Sequence, residues 1–403
     1  MTDAFTATDP SGYTAAFDDR VAAVVADAAR RVPAFARRLA DAGLSAGAVT
    51  GSAALEGLPV LTKDDVLAAQ HADPPFGGLL AGDVRPRRVF QSPGPIYEAE
   101  LDAVDHWRWA PALEAAGFGP DDVVLNAFGH HLSPAGAMFE QACLVLGCTV
   151  VPAGVGNADA QVRACADLGV TAYVGVPSYL NKLLELDPSL ALQRAFVSAE
   201  PLPPSLRDRL LERVAVVRQG YGTAEAGHLG HECSAMDGWH VAEDALVQVC
   251  DPATGAPLTD GREGQVVVTG LSTAAPLVRF GTGDLSAWHD QPCPCGARTP
   301  RLRGWLGRVG DGVKVRGMFL HPRQVSDAMG ALSDVTAHRF TVDRIDHRDV
   351  LACAVVLRPG AAADEVVPTV RQRIRETLRF DVTVEVADSL SDGPVIEDRR
   401  RWD

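Results

Sequence analysis

The sequence predicts an α/β protein: a large N-terminal α/β domain with a mostly parallel sheet and a small β region, then a small α+β C-terminal domain. Three observations carry this. Between about residues 105 and 225, short apolar runs alternate with helical patterns, as in βαβ units whose strands are buried on both faces. Between 241 and 290, strand patterns separated by turn signals replace the helices. After Gly307-Arg308 the order becomes β-helix-β-helix-β. The domains are therefore set at 1–307 and 308–403.

Taken in order, residues 13–45 read as one amphipathic helix, because Val21, Val24, Val25, Ala28, Val32, Phe35 and Leu39 recur at spacings of three and four. Thr62 then caps a helix whose first turn carries Asp64 and Asp65. Strands are expected at 123–128, 149–153, 172–176 and 194–197, and helices at 135–146, 158–168 and 178–186. This order places Ser198-Ala199-Glu200 and Tyr221–Glu225 at carboxyl ends of strands, where open α/β sheets bind ligands. Strands 245–250 and 264–269 form the small β region. The C-terminal pattern runs through 313–316, 322–332, 338–342, 351–357, 364–378 and 382–386.

Composition narrows the function. Hydrophobic residues are 47% and charged residues 22% of 403, which suits a globular chain with a large core. A formal charge of -15 opposes binding to phosphate backbones, so nucleic acid is not an expected partner. No run of eighteen apolar residues occurs, and Met1-Thr2-Asp3-Ala4-Phe5 has neither a basic nor an apolar leader region. Eight cysteines in a chain this long are not a disulfide framework. A cytoplasmic protein without membrane partners is expected, and a homodimer stays open.

Four cysteine and histidine positions stand apart. Cys293-Pro294-Cys295-Gly296 is a tight knuckle, and Cys233 with His240 makes a second pair. Three thiolates and one imidazole suit a tetrahedral structural zinc ion; the plain alternative is unrelated buried thiols and a surface histidine. Cys143, Cys148, Cys165, Cys250 and Cys353 lie in apolar runs and are expected in the core.

The remaining motifs are Gln219-Gly220-Tyr221-Gly222-Thr223-Ala224-Glu225, Gly281-Thr282-Gly283-Asp284, Gly307-Arg308 and Lys314-Val315-Arg316-Gly317. In this order and spacing they resemble the adenylate-forming enzymes, specifically the phenylacetate–CoA ligase branch. Gly57–Asp65 is similar to that branch's Pro-x-x-Thr-Lys-x-Asp leader. The resemblance runs from Pro59 to Arg400. It implies a ligase that activates a carboxylic acid with ATP as an acyl-adenylate and passes it to CoA or another thiol carrier. It also implies a mobile C-terminal domain, turning about 308–311 between half-reactions.

Residue by residue, the resemblance gives Glu225 to magnesium, Asp284 and Arg308 to the ribose, and Ser198, Ala199, Glu200, Tyr221, Gly222 and Thr223 to the adenine end. One of His130 and His131 would close the acyl pocket, which 173–177 would line. Relatives in this branch look similar around the four cysteine and histidine positions. Thr223 sits one position earlier than in the family, with Ala224 in its usual place.

Two departures limit the resemblance. The family's Ser/Thr/Gly-rich loop ends in lysine and wraps the triphosphate, whereas this chain has Phe90-Gln91-Ser92-Pro93-Gly94-Pro95-Ile96-Tyr97-Glu98. Its prolines remove backbone donors, and its only charge is negative. The family's C-terminal lysine is also absent from Asp392–Arg400; the whole chain has only Lys63, Lys182 and Lys314. Arg399 or Arg400 is the nearest substitute. A third departure, Gly310 before Asp311, keeps a competent hinge. Two further readings stay open: an ATP-independent hydrolase, acyl transferase or cyclase acting on a preformed acyl thioester, with His130 or His131 as base, or a non-catalytic acyl-CoA-binding protein.

Overall fold

The computed structural model describes residues 6–92, 95–310, 312–316, 318–320, 322–346, 348–391 and 393–401. Expectations at Met1–Phe5, Pro93, Gly94, Asp311, Gly317 and Asp392 lie outside these. The chain divides into two compact units: Met1–Leu202 with Leu206–Val309, and Gly310–Asp403 with Pro203–Ser205.

An eight-stranded sheet organises the first unit. Its parallel part runs Thr149–Pro152, Val123–Asn126, Ala172–Gly175, Leu192–Val197 and Val214–Thr223 in spatial order. Alternate side chains enter two separate cores: Val124, Val174 and Phe196 pack on one face, and Leu125, Tyr173 and Val197 on the other. Burial on both faces explains the continuous apolar runs. Three antiparallel strands, Gly227–His231, Trp239–Val241 and Arg301–Leu302, extend this sheet. The small β region is a four-stranded antiparallel sheet of Ala245–Cys250, Gly264–Gly270, Phe280–Ser286 and Gly307–Arg308.

One sequence reading needs correction. Residues 13–45 are not one helix but three, Pro10–Ala15, Asp18–Arg31 and Pro33–Asp41. Pro33 has no N–H to continue the ladder and holds Val32 in extended backbone (φ −117°, ψ 101°). At the place of the family's phosphate loop, Arg88–Gln91 and Tyr97–Glu100 pair as antiparallel strands with Phe90 opposite Glu98. The anticipated core cysteines are all buried.

The second unit is a four-stranded sheet in the order Thr383–Val386, Arg348–Leu357, Val335–Ile345 and Ile396–Asp398, with helices Pro322–Gly330 and Ala363–Thr377. Phe340, Val342, Cys353, Val370, Ile374 and Phe380 fill its core.

Candidate active site

Tyr221, Asp284 and Arg308 come together in the first unit. The strand Phe280–Ser286 pairs with Gly307–Arg308, with Asp284 opposite Arg308. The Arg308 Nη2 lies 3.2 Å from Asp284 Oδ1, with both side chains 8% exposed. Trp305 Nε1 donates to the same oxygen at 3.2 Å, and the Tyr221 hydroxyl donates to Oδ2 at 3.1 Å. Burial and the Asp284 charge raise the Tyr221 pKa well above its ordinary value, so the phenol stays a donor. Its ring stacks on Trp239 at 4.8 Å. Asp284 is thus a preorganised acceptor whose lone pairs are already largely engaged.

Ser198, Ala199 and Glu200 follow the strand Leu192–Val197. Ser198 Oγ donates to the Gly220 carbonyl at 2.9 Å, and Gln219 Nε2 donates to the Glu200 carbonyl at 2.9 Å. These bonds fasten the turn to the strand Val214–Thr223, which carries Tyr221, Gly222 and Thr223. Ala199 adopts φ +69°, a left-handed conformation that only a tight turn requires of alanine.

Glu225 lies at the tip of the hairpin joining Val214–Thr223 to Gly227–His231. Its side chain is 4% exposed, and Oε1 is 2.7 Å from Lys63 Nζ. Oε2 is buried with no hydrogen-bond partner. Burial alone favours the neutral acid, but Lys63 outweighs it and leaves the Glu225 pKa below its usual value. Glu98 faces the same cluster. Burial, and then the Glu225 charge, raise the Glu98 pKa well above the carboxylate range, so it is held neutral. Glu98 and Glu225 line one wall of a cavity of about 450 Å³, with Val66, Ile96 and Trp107. Ser198, Glu200, Tyr221 and Asp284 are not among its lining residues.

The two histidines separate. His131 is exposed, whereas His130 is packed against Gly136 at the start of helix Ala135–Val145. His130 Nδ1 is 3.5 Å from Glu140 Oε2 and its buried Nε2 has no partner. Burial lowers its pKa, so the imidazole is neutral at pH 7. The backbone N–H of Gln91 donates to the Leu132 carbonyl, bringing this loop beside the 88–100 hairpin.

The ligand atoms of Cys233, His240, Cys293 and Cys295 lie within 4.8 Å of one another. Cys233 Sγ is 3.4 Å from Cys293 Sγ, and Cys295 Sγ is 3.4 Å from His240 Nε2. His240 Nδ1 is 3.1 Å from the Thr299 carbonyl. That contact fixes the tautomer and leaves Nε2 for a metal. The donor set fits zinc.

Sequence reasoning missed the contacts of Trp305 and the enclosure of Glu98, and it placed Lys63 in the leader Gly57–Asp65 without bringing it to Glu225.

The chain is similar to known proteins. The profile of the AMP-binding enzyme family matches residues 102–276, so the match begins after the altered hairpin. Phenylacetate–coenzyme A ligase of Thermus thermophilus is 31% identical over 347 residues, 81% of this chain and 77% of that protein. The chain belongs to the phenylacetate–CoA ligase family. The Escherichia coli phenylacetate–coenzyme A ligase is 27% identical over 353 residues, covering 82% of this chain and 79% of its own. A crystal structure of 2-hydroxyisobutyryl-CoA ligase superposes with a TM-score of 0.86 at 24% identity, over 98% of this chain and 92% of that one. The protein is accordingly an acid–thiol ligase-type enzyme of the adenylate-forming fold. Among the described residues, no helix is long and apolar enough to cross a membrane.

Proposed function

We propose that this ligase joins a small carboxylic acid to CoA, or to another thiol carrier, through an acyl-adenylate made in the first unit. The observation that carries the assignment is the buried Tyr221–Asp284–Arg308 set, which offers an ionised acceptor flanked by two donors. A ribose hydroxyl is both donor and acceptor and matches that set. In this reading Ser198, Ala199, Glu200, Gly222 and Thr223 shape the adenine end, and His130 borders the acyl group. The unpartnered Glu225 Oε2 fits a hard divalent cation such as magnesium, which would neutralise phosphate charge when bound. Residues 308–311 serve as the hinge between half-reactions. A structural zinc ion held by Cys233, His240, Cys293 and Cys295 keeps the end of the sheet closed. Composition supports a cytoplasmic protein without nucleic-acid partners.

The test is pyrophosphate release across aryl and alkyl carboxylic acids, with CoA added in a second step. Acid-dependent release followed by CoA-dependent thioester formation is expected. A second reading draws on the neutral His130 with its unpartnered Nε2, which suits a general base toward a preformed thioester. Conversion of an acyl-CoA without ATP, and no pyrophosphate from any acid, would replace the first reading with the second.

A further inference from the structure

We infer that Trp109 sets which acids this ligase accepts: its indole fills the space beside Gly220 and Gly222, so that only a short acyl chain fits, and its N–H meets an oxygen close to the acid's carboxyl group. This rests on the ligase reading above and adds to it a residue outside the motifs of that reading.

The strand Val214–Thr223 presents two different faces at its carboxyl end. Tyr221 turns to one side, where its hydroxyl meets Asp284. Gly220 and Gly222 turn to the other, and both lie against Trp109. A Cβ on Gly220 would stand 2.8 Å from Trp109 Cζ3, and a Cβ on Gly222 would stand 2.6 Å from Trp109 Cζ2. Both are closer than a real Cβ tolerates, so the indole takes the room that side chains on the strand would need.

The ring is held in this place from several sides. Asp105, in a left-handed turn with φ +46°, accepts from the backbone N–H groups of Trp109 and Ala110 at 3.1 and 2.7 Å. Phe139, on the helix Ala135–Val145, packs on the indole with ring centres 4.7 Å apart, and Phe196 closes edge-on at 6.0 Å. The first turn of the same helix seats His130, because Gly136 lets the imidazole approach. Trp109 thereby joins the strand that leads to Glu225 and the helix that seats His130. In the ligase reading the acid's carboxyl group comes to the phosphate end at Glu225 and its chain lies toward His130. The chain then runs over the indole, and its course is short.

A core role alone does not account for a tryptophan here. The residue is 2% exposed, and its Nε1 is buried with no hydrogen-bond partner. A buried tryptophan usually gives its N–H an acceptor, and a buried donor left without one is costly. Phenylalanine would fill much of the same space without that cost. The orientation of the ring shows where an acceptor would come from. Cζ2, beside Gly222, is bonded to the carbon that carries Nε1, whereas Cζ3, beside Gly220, lies further round the ring. The nitrogen edge thus faces the carboxyl end of the strand, where Thr223, Ala224 and Glu225 follow. An oxygen on the carbon next to the acid's carboxyl group comes to that end.

The experiment measures kcat/KM for pyrophosphate release with straight-chain acids from acetate to octanoate, their 2-hydroxy counterparts, benzoate and phenylacetate. The proteins are wild type, Trp109→Phe, Trp109→Leu and Trp109→Ala, each with its melting midpoint and AMP affinity. Wild type is expected to favour short 2-hydroxy acids. Trp109→Phe keeps a ring and should keep the short-chain preference, while losing roughly 2–12-fold of the preference for the hydroxy acid, the worth of one neutral hydrogen bond. Trp109→Leu and then Trp109→Ala should raise the ratio of aryl and long acids to short ones, by roughly 10–200-fold in Trp109→Ala, with AMP affinity unchanged. Trp109→Phe and Trp109→Leu carry the same comparison where Trp109→Ala does not fold. A tryptophan that only fills the core would lower all acids alike. That result overturns the inference, as does a hydroxy-acid preference that is absent in wild type or survives in Trp109→Phe. Wild type that uses octanoate or phenylacetate as readily as short acids would place the acyl chain in the cavity beside Trp107 and Glu98, overturning the inference and leaving the ligase reading intact. A wild type that releases no pyrophosphate with any acid removes both.

Discussion

Asp284 offers the sharpest separation of fold from chemistry, because its carboxylate holds a buried set of contacts and, in the proposed reading, also meets the ribose. It pairs with Arg308 at 3.2 Å and accepts from Trp305 and Tyr221 at 3.2 and 3.1 Å, while 6% exposed. In Asp284→Ala the guanidinium of Arg308, 8% exposed, loses this charge partner. Removing one partner of a buried ion pair costs about 3–5 kcal/mol. With roughly 2.1 cal/mol/K of unfolding entropy per residue, a unit this size should melt about 5–8 °C lower. Asp284→Asn keeps the volume and one carbonyl acceptor, so its midpoint should fall less, by about half. Nucleotide binding should follow another order. Both variants lose the ionised acceptor, so AMP affinity should drop by roughly 10–150-fold in each, about 1.5–3 kcal/mol. Scanning calorimetry gives the midpoints, and titration calorimetry below them gives the affinity. A large midpoint loss with unchanged AMP affinity in Asp284→Asn would refute the ribose assignment and leave Asp284 a structural residue only.

Three more predictions follow from single contacts. Protein purified without added metal should carry about one zinc per chain, and Cys293→Ser should lose it and melt lower while keeping its acid selectivity, since a closed four-ligand site has no open position for substrate; elemental analysis well below one zinc rejects the site. Glu98→Gln should raise the melting midpoint at pH 8 and leave it nearly unchanged at pH 4: the Glu98 pKa is raised in the fold, so its stabilising contribution is complete below the unfolded carboxylate value and is lost as pH climbs toward the folded one. An equal shift at both pH values contradicts the neutral assignment. Gly136→Ala places a Cβ 2.7 Å from the His130 ring and from the Gly129 carbonyl, so it should cost about 1–3 kcal/mol and displace His130. If His130 borders the acyl group, the KM for acid should change more than the affinity for AMP.

Much of the fold was readable because its strands are buried on both sides. Ala172–Gly175 and Val123–Asn126 are buried along nearly their whole length, and apart from Asn126, whose amide bonds to the Gly136 carbonyl, their apolar runs announce a covered parallel sheet. The extending strand Gly227–His231 was silent, because Gly-His-Leu-Gly-His has little β-propensity and is held by neighbours instead. The strands Arg88–Gln91 and Tyr97–Glu100 were not read from the sequence for the opposite reason: Arg88 and Glu100 look like surface charges, yet they face one another across the register at 2.5 Å. Cys293 and Cys295 were legible as a pair through local spacing, and the four-residue cluster then depends on the chain bringing Cys233 and His240 to them. Lys63 and Glu225 share no local pattern at all. Their pairing is set by Leu61 bridging to Phe280, a contact the sequence does not encode within any window.

Seen together, the altered hairpin and the missing C-terminal lysine need not mean an inactive remnant. A remnant site loses its constraints as a set, and buried charges are the first to become costly, because an unpaired ion in the interior is far less stable than an apolar side chain of the same size. At this site the buried charges have partners: Glu225 has Lys63 and Asp284 has Arg308, with Glu98 held neutral. In the cluster around Glu225 its Oε2 is buried without a hydrogen-bond partner. A chain relieved of selection for nucleotide chemistry has no reason to keep an ionised glutamate 4% exposed with one oxygen unpartnered. In the proposed reading an ion held at Glu225 meets part of the phosphate charge that a lysine in the loop would otherwise meet. ATP should accordingly bind only modestly better than AMP without magnesium, and the difference should grow steeply as the ion is added. An ATP preference that is equally large with and without magnesium would show that the cations are fixed, and that the phosphate grip lies elsewhere.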